Sequence, residues 1–200
     1  MSLKFVPITL EDGSTVELIS VTSMLHLFEN KEVAGTRSYY RGESASIDGK
    51  EIHRIIQFIN RGGHVEAGEW NAYNENVRQA VRAYVRWQQA TGYRSKLSEY
   101  PVYSLELGLA GTLDDLGTIK RYCTICDWTS GLPKKLYKKY QLVTYRQLYL
   151  SMFPRRRVSG LRVVILNKQT GNFEQEVLTE NEVLNLFNEV LELKNKVGIV

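Results

Sequence analysis

Two short runs in which apolar residues recur every second position, 3–9 and 15–20, flank an Asp12-Gly13 turn signal and predict a β-hairpin. Val21-Thr22 then opens a short helix carried by Met24, Leu25 and Phe28, and the polar stretch from Ala34 to Ile47 reads as a loop. Asp48 followed by Glu51 has the form of a capping box, so a helix is expected from near Gly49 to about Ile59, ended by Gly62-Gly63. From Ala67 to about Ala90 the positions Trp70, Tyr73, Val77, Ala80, Val81, Tyr84, Val85 and Trp87 keep a helical period, and Gly92 supplies a stop. Three strands are expected at about 98–107, 109–115 and 119–128, with Gly108 and Gly117 as turn residues between them. Pro133 suits the first turn of a further helix reaching about Phe153. A second hairpin, 161–167 and 172–178, folds around Thr170-Gly171, and 180–194 again has helical spacing. The order is helices, three strands, helix, hairpin, helix, which describes an α/β chain with one central mixed sheet flanked by helices.

At 200 residues the chain suits one domain. We divide it into an N-terminal helical part (about 1–92), a core (about 93–178) and a C-terminal helix (about 180–195). A hydrophobic content of 43% and a charged content of 24% are ordinary for a globular protein. No apolar run is long enough to span a bilayer, and Met1 to Val6 lacks the layout of a signal peptide, so a cytoplasmic location without membrane partners is expected (the host cytoplasm if the chain is viral). The two cysteines, Cys123 and Cys126, are half of a metal site at most, and on a strand they point to opposite faces. Packing is the better account of them.

Two segments carry the candidate chemistry, Gly111-Thr112-Leu113-Asp114 and Ile125-Cys126-Asp127-Trp128-Thr129-Ser130-Gly131. Each sets one carboxylate at the end of an apolar run, and the two acids are thirteen residues apart, enough for neighbouring strands joined by a tight turn. Paired carboxylates suit a hard divalent cation. The net charge is +4, and Lys134, Lys135, Lys138, Lys139, Arg146, Arg155, Arg156 and Arg157 follow directly after the second segment. Such a band suits a polyanionic substrate, although for any single lysine a solvated helix face explains it as well.

Four motifs in order resemble the RecB-like branch of the PD-(D/E)xK nuclease superfamily, close in layout to phage exonucleases and CRISPR-associated RecB-like nucleases. They are Gly49-Lys50-Glu51-Ile52-His53, Gly111-Thr112-Leu113-Asp114, Asp127-Trp128-Thr129-Ser130-Gly131 and Gln141-Leu142-Val143-Thr144-Tyr145. Ser20-Val21-Thr22-Ser23-Met24-Leu25 also resembles the opening of phage exonucleases, and Glu99 stands where many members have a further acid. The resemblance covers about half the chain and implies a restriction-endonuclease-like core.

The resemblance implies a metal-dependent nuclease that hydrolyses DNA, as an exonuclease or single-strand-acting enzyme of replication, recombination or repair. Asp114 and Asp127 would bind one or two Mg²⁺ or Mn²⁺ ions, with His53 as a nitrogen ligand that favours manganese. Glu99 is either a water-mediated ligand or a strand-edge acid. Gln141 and Tyr145 share a helix face that in the family meets the DNA and the site, or else they pack on the sheet and bond locally. Single strands and duplex ends are the expected DNA partners, and ring-forming relatives leave homo-oligomerisation open. The departure is Thr129, which stands where the family has its catalytic lysine. Either Lys138, one turn before Gln141, or Lys134 or Lys135 in the turn brings an ammonium to the same place, or cleavage is weakened or lost while nucleic-acid binding persists.

Overall fold

Local turn chemistry sets the outer parts of the fold. The computed structural model describes residues 3–32, 43–130 and 135–196. In it, Asp12 accepts hydrogen bonds from the backbone and hydroxyl of Ser14 and so closes the hairpin of β1 (Phe5–Thr9) and β2 (Thr15–Ser20). Helix α1 (Val21–Glu32) follows without a break, and α2 is Glu43–Asn60. Then come α3 (Ala67–Ala72), α4 (Glu75–Thr91), β3 (Tyr93–Ser104), β4 (Leu109–Ile119) and β5 (Tyr122–Thr129). Helix α5 (Lys135–Met152), β6 (Gly160–Leu166), β7 (Phe173–Val177) and α6 (Glu180–Lys196) complete the chain. Pro133 and the part of the expected loop at 34–42 lie outside the described residues. Among the described residues no helix is long and apolar enough to cross a membrane.

The seven strands form one mixed sheet in the order β1-β2-β4-β5-β6-β7, with β3 also on β4. The β2–β4 and β5–β6 pairs are parallel and the others antiparallel. One face is covered by α1, α5 and α6, through residues such as Met24, Leu142, Leu148 and Val190. The other is covered by α2 and α4, through Ile52, Ile55, Ile56, Val77, Tyr84 and Trp87. Trp128 is edge-on to Trp87 and to Tyr84, with ring centroids 5.1 Å apart in both pairs. Cys123 packs against the first cluster and Cys126 within the second, the opposite faces that a three-residue step on a strand imposes.

Three local expectations give way to longer-range contacts. Asp48 does not begin α2 but lies inside it. Its carboxylate accepts from Asn74 Nδ2 at 2.8 Å and lies 3.6 Å from Lys168 Nζ, so the apparent capping residue ties the helix to two distant segments. The helix expected over 67–90 is broken at Tyr73 and Asn74. Asn74 is extended, and its side chain accepts from Val77 N–H to cap α4. Gly117 is within β4 rather than in a turn. A Cβ there would run into the Arg94 carbonyl and the Tyr93 ring, so its glycine permits the close approach of β3. The chain reverses instead at Lys120 and Arg121, Lys120 having φ 55°. Gly92, in contrast, ends α4 as read from the sequence, with φ 66° and its N–H bonded to Gln88.

Candidate active site

The site grows from a gap beside β4. On one side β3 pairs with β4 along its whole length. On the other, β2 pairs only at Leu109 and Ala110, and β5 only from Asp115 onward. Residues 111–114 therefore face an opening between β2 and β5. Tyr145 of α5 fills part of it by lying over Gly111, where a Cβ would stand 2.5 Å from the tyrosine ring. Asp114 closes the far end by accepting the backbone N–H of Trp128 at 2.9 Å.

Gly111→Ala is expected to displace Tyr145 and to cost about 1–3 kcal/mol through overpacking. Thermal melting would read the loss, and an unchanged melting temperature would show that the ring moves aside without cost.

Three side chains that could hold a metal ion meet at this opening. Glu99 lies across from Asp114, between the register pairs Ser98↔Asp115 and Tyr100↔Leu113. Its backbone is left-handed, φ 51°, a conformation that costs a residue with a Cβ about 1 kcal/mol or more. His53 comes down from α2, with Nδ1 3.4 Å from Glu99 Oε1 and 3.8 Å from Asp114 Oδ2. One ligand atom from each of the three lies within 4.8 Å of the others. Burial pushes the imidazole pKa down, but the charges of Asp114, Asp127 and Glu99 and the hydrogen bond to Glu99 outweigh it and raise the pKa to about 9. The trio therefore attracts positive charge.

Asp127 stands beside this trio rather than in it. Its side chain is only 1% exposed, and Lys138 of α5 reaches it, with Nζ 2.9 Å from Oδ2 and donating to Oδ1 at 3.1 Å. Oδ2 has the ammonium as its neighbour but no well-directed hydrogen bond. Burial pushes the Asp127 pKa up and Lys138 pulls it down, while Asp114 adds repulsion, leaving it at about 7. On Lys138 burial acts the other way, but the charges of Asp127 and Asp114 prevail and hold the amine well above its ordinary range. An ammonium thus sits against the second acid although β5 itself supplies only Thr129, which is buried and paired with Ile165 on β6.

Lys138, Gln141 and Tyr145 are spaced three and four residues apart on α5, so they share one face. Lys138 donates to Gln141 Oε1 at 3.2 Å, and Gln141 donates to the Tyr145 hydroxyl at 2.9 Å. Thr22 of α1 lies 3.4 Å from both Gln141 Nε2 and the Tyr145 hydroxyl. Gln141 and Tyr145 are buried, so in this structure they hold Lys138 from behind. Thr22 had no role in the sequence reading beyond its place in the opening stretch. Two further members of the basic band are neutralised rather than free. Lys139 pairs with Glu176 at 2.5 Å and Glu182 at 3.6 Å, and Arg146 with Glu180 at 3.7 Å. Gly131, Lys134 and the side chain of Lys135 lie outside the described residues.

Asp115, which the sequence reading passed over, points into the opposite layer. It is fully buried and accepts from Ser95 Oγ at 2.9 Å, from Asn60 Nδ2 at 2.6 Å and from the Tyr93 hydroxyl. Asn60 also accepts from the Tyr84 hydroxyl. The only available signal was a second acid directly after Asp114 in a strand with no other charged residue.

The donor set suits a divalent ion. His53, Glu99 and Asp114 offer nitrogen and carboxylate oxygen at a partly open mouth, and Asp127 adds a buried carboxylate whose Oδ2 has the Lys138 ammonium beside it but no well-directed hydrogen bond. No protein-family model matches the chain, and no curated protein matches it in sequence. In three dimensions it is similar to the crystal structure named "Putative exonuclease" from Eubacterium rectale, at 11% identity over 90% of this chain and 82% of that one, with a TM-score of 0.51. An alkaline exonuclease from Laribacter hongkongensis, LHK-Exo, matches at 12% identity over 90% of this chain and 93% of that one, with a TM-score of 0.39, and it has also been solved in complex with dAMP. With its mixed sheet and flanking helices, the chain shares the restriction-endonuclease-like fold of that Eubacterium rectale structure.

Proposed function

We propose that this protein is a divalent-metal-dependent nuclease that hydrolyses phosphodiester bonds in DNA, at strand ends or in single strands. The observation that carries this reading is the Lys138 ammonium 2.9 Å from Asp127, beside the His53, Glu99 and Asp114 trio. His53, Glu99, Asp114 and Asp127 would hold Mg²⁺ or Mn²⁺, which when bound supplies positive charge opposite the phosphoryl oxygens and acidifies water.

The chain's own residues do the rest. Lys138 donates a hydrogen bond to the attacking water and offsets the negative charge that develops on the phosphate. Asp127 keeps that amine charged and aimed, and Gln141 restrains it on the other side. Tyr145 and Thr22 fix Gln141 in turn. An amine delivered from a helix serves as well as one from the strand because only the position of the charge enters the chemistry.

The test is cleavage of labelled single-stranded and blunt duplex DNA with Mn²⁺, Mg²⁺ or EDTA. Cleavage is expected only with metal. Lys138→Ala is expected to lower the rate about 10²-fold, and Thr129→Lys placed in that background is expected to restore part of it. Full activity in Lys138→Ala would remove the amine from the mechanism. Salt-sensitive DNA binding with no cleavage under any metal would instead establish an inert binding module, the reading that the threonine at 129 favours.

A further inference from the structure

Positive charge is concentrated in one part of the chain. Between Leu116 and Phe173 there are twelve lysines and arginines and one acid, Asp127. Four of those cations are neutralised, Lys138 by Asp127, Lys139 by Glu176 and Glu182, Arg146 by Glu180 and Lys168 by Asp48. Arg121, Arg155, Arg156 and Arg157 are exposed and have no ion-pair partner among the described residues. The same holds for Arg94 and Lys96 on β3.

The topology brings these six together at the end of the sheet remote from the candidate active site. Arg94 pairs in register with Thr118, and Thr118 with Cys123, so the three side chains leave the same face of neighbouring strands. Lys96 is the extra residue of a bulge in the β3–β4 ladder. The loop after α5 is tied to this point, since Ser159 donates its N–H to the Cys123 carbonyl. Burial pushes the Cys123 thiol pKa up, and the charges of Lys96 and Arg156 act on it in the opposite direction. The turn of β4 and β5 stands at the same end of the sheet, where Tyr122, alternating with Cys123, leaves the opposite face and has the Arg121 guanidinium 5.4 Å from its ring centre. That ring is half exposed.

Like charges crowded in this way repel, and a polyanion relieves the repulsion. The half-exposed Tyr122 offers in addition a flat apolar surface of the kind on which an unpaired base stacks. The patch begins about 14 Å from Asp114, four residues along β4 at the rise of a strand. We propose that this pole is a second nucleic-acid contact, an exosite that holds the backbone of a single strand roughly four nucleotides from the bond being cleaved, with Tyr122 as a platform for a base. The choice of nucleic acid among polyanions rests on the nuclease reading above. The electrostatic part does not.

Binding without metal separates the two. The probe is a fluorescent 20-nucleotide oligothymidylate, titrated in EDTA over a series of salt concentrations. Changing Arg155, Arg156 and Arg157 together to alanine is expected to weaken binding at least tenfold and to flatten the plot of log affinity against log salt by about two, at about 0.7 for each phosphate no longer neutralised. The corresponding triple lysine variant is expected to keep the wild-type slope, which excludes misfolding as the cause. Tyr122→Ala is expected to weaken binding about tenfold with the slope unchanged. Metal-dependent cleavage of a trinucleotide, too short to bridge the two sites, is expected to be the same in all variants. Wild-type affinity and slope in the triple alanine variant would overturn the exosite. A wild-type protein that binds with the expected slope but never cleaves would overturn the nuclease reading and leave the exosite standing.

Discussion

Asp114→Asn is expected to reduce metal-dependent DNA cleavage by about 10³-fold or more without unfolding the protein. Asp114 has two tasks that this substitution separates. Its carboxylate lies in the candidate metal-binding trio with His53 and Glu99, and it also accepts the Trp128 N–H that closes the gap between β4 and β5. Asparagine keeps an acceptor for Trp128 and loses the charge. Alanine would lose both, mixing a structural defect with the chemical one. The charge of Asp114 is the largest single cause that raises the His53 pKa, so the imidazole should also become less basic in the variant. Initial rates with Mn²⁺, together with calorimetric titration of Mn²⁺, give the measurement. Cleavage above a tenth of wild type with undiminished metal affinity would mean that the ion is held elsewhere. Asp127→Asn should be comparably damaging. Asp127→Ala is the poorer experiment, because it strands the largely buried Lys138 ammonium without its counter-charge.

The largest expected effect on stability belongs to Asp115, one residue along the same strand. Asp115→Ala is expected to cost about 3–5 kcal/mol, measured by urea denaturation, a large share of the roughly 5–15 kcal/mol that holds a domain together. The loss comes from what remains behind. Tyr93, Ser95 and Asn60 would each keep a donor pointed at an empty, water-poor space. Burial pushes the Asp115 carboxyl up to about 7, and the hydrogen bonds from Tyr93, Ser95 and Asn60 pull against it, so those donors are what make the buried acid tolerable. Asn60 is also the last residue of α2, which carries His53 two turns earlier. Loosening this network should therefore weaken Mn²⁺ binding as well as stability. A variant with wild-type denaturation would show that water replaces the carboxylate at no cost.

Elements whose signals are local can be read from the chain alone. The two outer hairpins, the stop at Gly92, the turn at Gly108 and the C-terminal helix all follow from residues a few positions apart, and they stand close to where the spacing put them. The order of the motifs along the chain was equally legible, because order is a property of sequence. Whatever depends on a partner far along the chain is set by packing instead. Asp48 looks like a cap but is claimed by Asn74 and Lys168, while the true cap of α4 is Asn74 itself. Gly117 looks like a turn but makes room for β3. The gap beside β4 exists only because β2 and β5, separated by more than a hundred residues (Ser20 to Tyr122), stop short of each other on its edge. The ligand grouping is of the same kind. Thirteen residues of spacing pair Asp114 with Asp127, yet in the fold Asp114 groups with His53 and Glu99, and Asp127 takes Lys138. That lysine could be named from its helical position, but its contact with Asp127 depends on how α5 lies across the sheet, which is a matter of packing rather than of spacing.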